Sequence, residues 1–170
     1  PFQLDFYVLP SSLEKAKAHF KVVKEVGVDL EKLDLIEKAS FTTYINRRKI
    51  AGTKINVISV DADLLGMTCE VILDPILFNS LGKLISDASE PVLVAIEKQL
   101  KEFDFGGVFY LSKLIDKIMD IEGVKDFFVT SSSLNTTPFT RSVESPAGYI
   151  KLDPPNVTIN SVLSWYWPMH

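Results

Sequence analysis

Residues 90–130 read EPVLVAIEKQLKEFDFGGVFYLSKLIDKIMDIEGVKDFFVT, and this stretch decides the fold. Val92, Ile96, Leu100 and Phe103 recur at helical spacing, which gives a first helix one apolar stripe. Ser89 stands before it as a cap. Glu90 suits the positive end of a helix dipole, and Pro91 fits a first turn whose N–H has no intrahelical partner. Gly106-Gly107 breaks the pattern, and Val108–Tyr110 reads as extended. Leu111, Leu114, Ile115, Ile118 and Ile121 form a second stripe, with Lys113, Asp116, Lys117 and Asp120 outside it. Gly123 is a left-handed stop, after which Val124–Thr130 returns as a strand. Two one-sided helices need a sheet to cover. The stretch contains no His, no Cys and no phosphate-cradling glycine loop, so it reads as scaffold rather than reaction centre.

Upstream, Lys54–Asp61 (KINVISVD) and Met67–Asp74 (MTCEVILD) are the clearest strands and read as a β-hairpin joined by ADLLG. Met67, Cys69, Val71 and Leu73 share one apolar face, while Thr68, Glu70 and Asp74 favour water. Pro75 ends the second strand because proline cannot donate to a ladder. Downstream, Ser131–Pro146 (SSSLNTTPFTRSVESP) reads as a long polar loop. Gly148–Leu152 and Val157–Trp165 read as strands split by an Asp153-Pro154-Pro155 turn.

The first fifty residues carry a different pattern. Gln3–Leu9 alternates weakly as a short strand. Ser11 and Glu14 have capping-box spacing, and Leu13, Ala16, Phe20 and Val23 then predict a helix that stops at Gly27. A second helical pattern runs from Leu30 to about Ser40, and SFTTYINRRKIAGT fits helix or strand. The expected architecture is α+β. A small mixed or antiparallel sheet, made of the hairpin plus later strands, is covered on one face by two amphipathic helices, with an N-terminal helical segment. Residues 1–50 are expected to form a mainly helical segment and 51–170 an α+β domain.

Composition narrows the function. The chain has 170 residues, 46% hydrophobic and 24% charged, as ordinary globular proteins do. A net charge of −4 and a pI near 5.2 lack the basic footprint that phosphate backbones select, so no nucleic-acid partner is expected. No run of 18 apolar residues is present, so no membrane span is expected. Pro1 stands where a Met is usual, which suggests a fragment or processed product. One cysteine, Cys69, excludes a disulfide framework and reads as a small buried hydrophobe.

Each candidate catalytic set lacks a required member. Asp61-Ala62-Asp63 could hold a divalent metal, as carboxylate pairs of nucleotidyltransferases do, with Glu70 or Asp74 as third ligand. No Gly-Ser phosphate loop precedes the pair, and its other reading is a turn that Asp side chains shape. His19 has no partner histidine at ligand spacing, and no G-x-S-x-G surrounds Ser131–Ser133. No catalytic, cofactor-binding or metal-binding residue is assigned, and the chain is expected not to be an enzyme. The candidate contact residues are Arg47, Arg48, Phe139, Arg141, Trp165, Tyr166 and Trp167. The terminal aromatics fit an interface, a carbohydrate platform or a core against the N-terminal helix.

The ordered set KINVISVDADLLGMTCEVILDP, SEPVLVAIEKQLKEFDFGGVFYLSKLIDKIMDIEGVKDFFVT and GYIKLDPPNVTI resembles the C-terminal part of baseplate J-like proteins, the tail baseplate wedge proteins of phages and related contractile particles. Tyr110, Ser112, Leu114, Ile115, Ile118, Gly123 and Val124 fall on the matching positions of one helix motif, and the resemblance spans roughly Lys54–Ile159. The Asp-Ala-Asp and AGYIKLDP segments are similar to proteins from phages of Bacteroides-type gut bacteria. The resemblance implies a virion structural protein of the tail baseplate, made in the host cytoplasm. It would assemble through contacts with copies of itself and other tail proteins, with no catalytic residues and no cofactor. The alternatives are a metal-dependent nucleotidyltransferase-like enzyme using Asp61 and Asp63, or a carbohydrate-binding module.

Overall fold

A computed structural model describes residues 2–9, 17–50 and 53–165. The chain is α+β and divides into two compact units. The first contains residues up to Asp63 together with Asp104–Gly107 and Ser145–Tyr149. The second contains Leu64–Phe103, Val108–Glu144 and the chain from Ile150.

In the first unit, β1 (Phe2–Leu9) runs antiparallel to β2 (Lys17–Val26). The other side of β2 is shared: β3 (Asp29–Glu31) pairs antiparallel with its last residues and β4 (Lys54–Ile58) pairs parallel with its first. The helix expected over Leu13–Val23 is therefore corrected to strand over Lys17–Val26; Leu13 and Ala16 lie outside the described residues. Ala18, Phe20 and Val22 also alternate with period two, and pairing on both sides of β2 selects that reading. Val22 joins a cluster with Leu33 and Val57, while the adjacent Val23 joins Ala147 and Tyr149. Consecutive residues buried in different clusters are what a strand permits and a one-sided helix does not.

The helix α1 (Leu35–Arg48) begins five residues later than the pattern from Leu30 and continues through the ambiguous SFTTYINRR stretch. Its N-terminus explains the shift. Asp34 accepts from the Glu37 N–H at 2.7 Å, and Glu37 accepts from the Asp34 N–H at 2.8 Å, a reciprocal capping box. Lys24 Nζ adds a bond to Glu37 Oε2 at 3.0 Å.

The second unit is organised by β5 (Asp63–Leu73), which extends through the expected ADLLG linker. The expected hairpin is a correction: β4 pairs with β2, whereas β5 pairs antiparallel with β7 (Val124–Leu134). The expected alternation along β5 is present. Met67, Cys69, Val71 and Leu73 are fully buried, Leu65 joins them, and Glu70 faces solvent. On the other side of β5 lies β10 (Ile150–Leu163). Cys69 Sγ reaches the Thr158 carbonyl and Leu73 O accepts from Ser164 N–H, so the two strands advance in the same direction. The sheet order is β10-β5-β7-β8, where β8 is the short Thr137–Pro138.

Two helices supply the other half of this core. Buried Val92, Ile96 and Leu100 of α2 (Pro91–Lys101) join buried Leu111, Leu114 and Ile118 of α3 (Leu111–Met119) in one cluster with β5. Pro91 opens α2 as expected, but Glu90 rather than Ser89 occupies the cap position. Between the helices, β6 (Val108–Tyr110) pairs with β9 (Ser142–Glu144). Gly123 has φ +85°, and a Cβ there would lie 2.8 Å from Leu77 and 2.9 Å from Phe78, so glycine is needed for both conformation and space.

Two further expectations fail in this unit. The polar stretch from Ser131 is largely ordered: β7 continues to Leu134, turns at Asn135-Thr136, and returns as β8. Asn135 and Thr136 both have positive φ, the twist that a two-residue hairpin turn needs. The Asp153-Pro154-Pro155 break is also absent, because β10 runs through it. An edge strand carries a ladder on one side only, so it tolerates prolines that a central strand would reject.

Candidate interaction surfaces

The Asp61-Ala62-Asp63 carboxylates do not act as a pair. The Asp61 side chain is largely exposed and meets Lys32 Nζ at 2.7 Å. Asp63 is buried at the start of β5 and clasps a loop. Its Oδ2 accepts from Ser145 Oγ at 2.5 Å and from the Ala147 N–H at 2.9 Å, while its own N–H donates to Tyr149 O at 3.1 Å. Tyr149 Oη donates to Val60 O at 3.1 Å. Gly148 completes the clasp with φ +91°; a Cβ there would meet the Phe105 ring at 2.7 Å. Of the two proposed third ligands, Glu70 faces solvent and Asp74 lies 3.7 Å from Lys125 Nζ. Among the described residues no group of three His, Cys, Asp or Glu is placed to hold a metal ion.

Burial also sets the two strongly shifted acids. It pushes the Cys69 thiol up to about 11, so the thiolate that a nucleophile needs is suppressed. Burial first, and then the charges of Asp61, Glu31 and Asp63, raises Tyr149 to about 12.

The candidate contact residues occupy separate places. Arg47 and Arg48 are exposed in the last turn of α1, where Arg48 lies 4.1 Å over the Tyr44 ring. Phe139 is partly buried, edge-on to Phe109 at 6.4 Å, so it is at least in part a packing residue. Arg141 is exposed, while its backbone carbonyl accepts from Leu111 N–H at 2.9 Å. Trp165 is 73% exposed after the end of β10. Tyr166 and Trp167 lie outside the described residues.

Three surfaces were not anticipated from the sequence. The connection between β5 and α2 exposes Ile76, Leu81 and Ile85, although Asp74, Asn79 and Asp87 side chains tie its backbone in local turns. A pocket of about 370 Å³ lies between α2 and β10, with Val92 and Ile159 in its walls and Glu90 and Glu97 among its lining. A larger trough of about 920 Å³ runs between α3 and β7, with Ile115 on one wall and Phe127 and Val129 on the other. Alternation in Val124–Thr130 could have pointed to that trough, but part of its lining comes from Pro138–Ser142, which the polar reading of residues 131–146 concealed.

Among the described residues no helix is long and apolar enough to cross a membrane. A scan against protein-family models finds no matching family, and a search of curated proteins finds no matching relative.

Proposed function

We propose that this chain is a structural subunit of a phage tail baseplate, joining copies of itself and neighbouring tail proteins through protein–protein contacts. The observation that carries the reading is the outer side of β10, along which no strand pairs among the described residues. Fourteen residues of strand lie at the end of the β10-β5-β7-β8 order, with Val162 and Trp165 exposed along and just beyond them. Strand addition to such an edge provides main-chain hydrogen bonds without requiring a deep pocket. Exposed Ile76, Leu81 and Ile85 add apolar contact area in the same unit. The resemblance of Lys54–Ile159 to baseplate J-like proteins supplies the kind of assembly.

The test has two parts. Mass spectrometry of purified tails should detect the chain at a fixed stoichiometry, and light scattering of the isolated protein should show concentration-dependent association. Absence from the particle, together with a monomer at every concentration, would refute the proposal. Saturable Mg²⁺-nucleotide binding that disappears in Asp61→Ala would instead favour the enzyme alternative. Glycan-array binding lost in Trp165→Ala would favour the carbohydrate module.

A further inference from the structure

The trough between α3 and β7 coincides with a second open sheet edge. Every paired residue of β7 finds its partner in β5 on one side. On the other side β8 pairs only with Ser133 and Leu134. Ser133 and Leu134 pair with both neighbours, so β5 and β8 flank opposite sides of β7. Among the described residues no strand pairs with residues 126–131 on the β8 side. The same stretch forms one wall of the trough, and Ile115 of α3 stands on the other. The Phe127 N–H is taken by Asp126 Oδ1 at 2.8 Å; along the rest of the stretch, among the described residues, backbone without a strand partner on this side meets apolar lining. An open edge supplies main-chain hydrogen bonds, and a helix beside it supplies side-chain pockets.

We propose that this trough binds one extended peptide segment of a partner protein, added as a strand along residues 126–131 of β7, with alternating apolar side chains and a carboxylate at one end. The alternation follows from the strand period: every second ligand side chain would enter the trough towards Ile115, Phe127 and Val129. The carboxylate follows from charge. Among the described residues lining the trough Arg141 is the one charged side chain; it is exposed, and its guanidinium can fork onto two carboxylate oxygens while its backbone holds Leu111. The volume of about 920 Å³ is large enough for a short segment rather than a single side chain. The register irregularity between Thr68 and Cys69 leaves Thr130 as an extra residue in β7, which interrupts the ladder with β5 and re-aims side chains before pairing resumes at Ser131. This inference deepens the assembly reading and rests on it for the identity of the partner, though not for the binding itself.

The experiment uses the full chain and four heptapeptides of alternating Val and Thr. One carries a free C-terminal carboxylate, one an amidated C-terminus, one an internal Glu beside an amidated end, and one a Lys at the same place. Amide chemical-shift mapping should show saturable changes concentrated at residues 126–131 and in α3. Either acidic peptide should bind about tenfold more tightly than the amide or Lys peptide. The two acidic arms separate a chain-terminal carboxylate from a side-chain one. Arg141→Glu should reverse the preference towards the Lys peptide, and the exposed site makes loss of fold an unsuitable explanation, which an unchanged spectrum elsewhere would verify. Equal binding of acidic and basic peptides, shifts confined to β10, or no shifts at millimolar peptide would each overturn the proposal. Peptide binding by a protein absent from tails would leave the trough assigned and remove only the baseplate reading.

Discussion

The two units bury apolar surface in different ways. In the second, β5 presents Leu65, Met67, Cys69, Val71 and Leu73 to a cluster that also takes three buried apolar residues from α2 and three from α3. In the first, α1 has no buried residue, and among the described residues the buried apolar clusters are two small ones on opposite sides of β2. Leu35, Ile36, Val28 and Ile50 remain largely exposed there. The same chain thus pairs a continuous core with a sheet held largely by backbone ladders and specific polar bonds. The contrast teaches that the first unit should be the more easily opened, because local stability follows buried apolar contact.

Four substitutions and one titration can break or sharpen that contrast. Phe109→Ala should have the largest effect, about 3–5 kcal/mol in urea unfolding, because a fully buried ring flanked by Phe103 and Phe139 leaves a cavity. A loss below about 1 kcal/mol would mean that the second unit is not the dominant core. Asp63→Ala should cost about 3 kcal/mol, since the Ser145 hydroxyl and Ala147 N–H would lose a buried acceptor. Hydrogen exchange should then rise first at residues 145–149, and uniform acceleration would argue against a local clasp. Val22→Ala should cost about 2 kcal/mol, with faster exchange in β2 and α1 and little change in α2 and α3. Equal acceleration in both units would abolish the proposed difference.

The titration compares one buried acid from each unit. Cys69 is raised from 9.0 to about 11, and Tyr149 from 10.0 to about 12. A raised acid pKa means that the unfolded chain loses its proton first. Stability is then unaffected below the unfolded value and declines as pH rises through the window up to the folded value. The Cys69 contribution should therefore be lost between about pH 9 and 11, and that of Tyr149 between about pH 10 and 12. Denaturation midpoints of Cys69→Ala and Tyr149→Phe across pH 8–12 would separate the two; an unchanged alkaline slope in either variant would remove its assignment. The smallest effect should come from Thr136→Gly. A β-branched residue at φ 72° is strained, and relief should raise stability by about 1 kcal/mol in thermal unfolding.

Much of the second unit was legible in its residues. The α2 and α3 stripes, the buried odd positions of β5 and the extended segment at Val108–Tyr110 all follow from periodicity, since a one-sided helix or strand records its buried face in the spacing. The first unit was less legible because Ala18, Phe20, Val22 and Val23 satisfy both periods, and only the partners of β2 discriminate. Of the candidate contact residues, Arg47, Arg48, Arg141 and Trp165 are exposed, while Phe139 packs in part against Phe109. The Asp63 clasp was hidden because its partners, Ser145 and Ala147, lie more than eighty residues away in the chain.

By itself, then, the sequence determined the α+β class, the two amphipathic helices and the apolar face of β5, because each is a local periodicity. Only the tertiary structure decided which strands pair. It put β4 beside β2 and β5 between β7 and β10, carried β10 through Pro154-Pro155, and separated Asp61 from Asp63. Strand pairing and buried polar contacts depend on residues distant in sequence, and no local pattern records their partners. Among the described residues, the same non-local choice leaves the outer side of β10 and residues 126–131 of β7 without a strand partner.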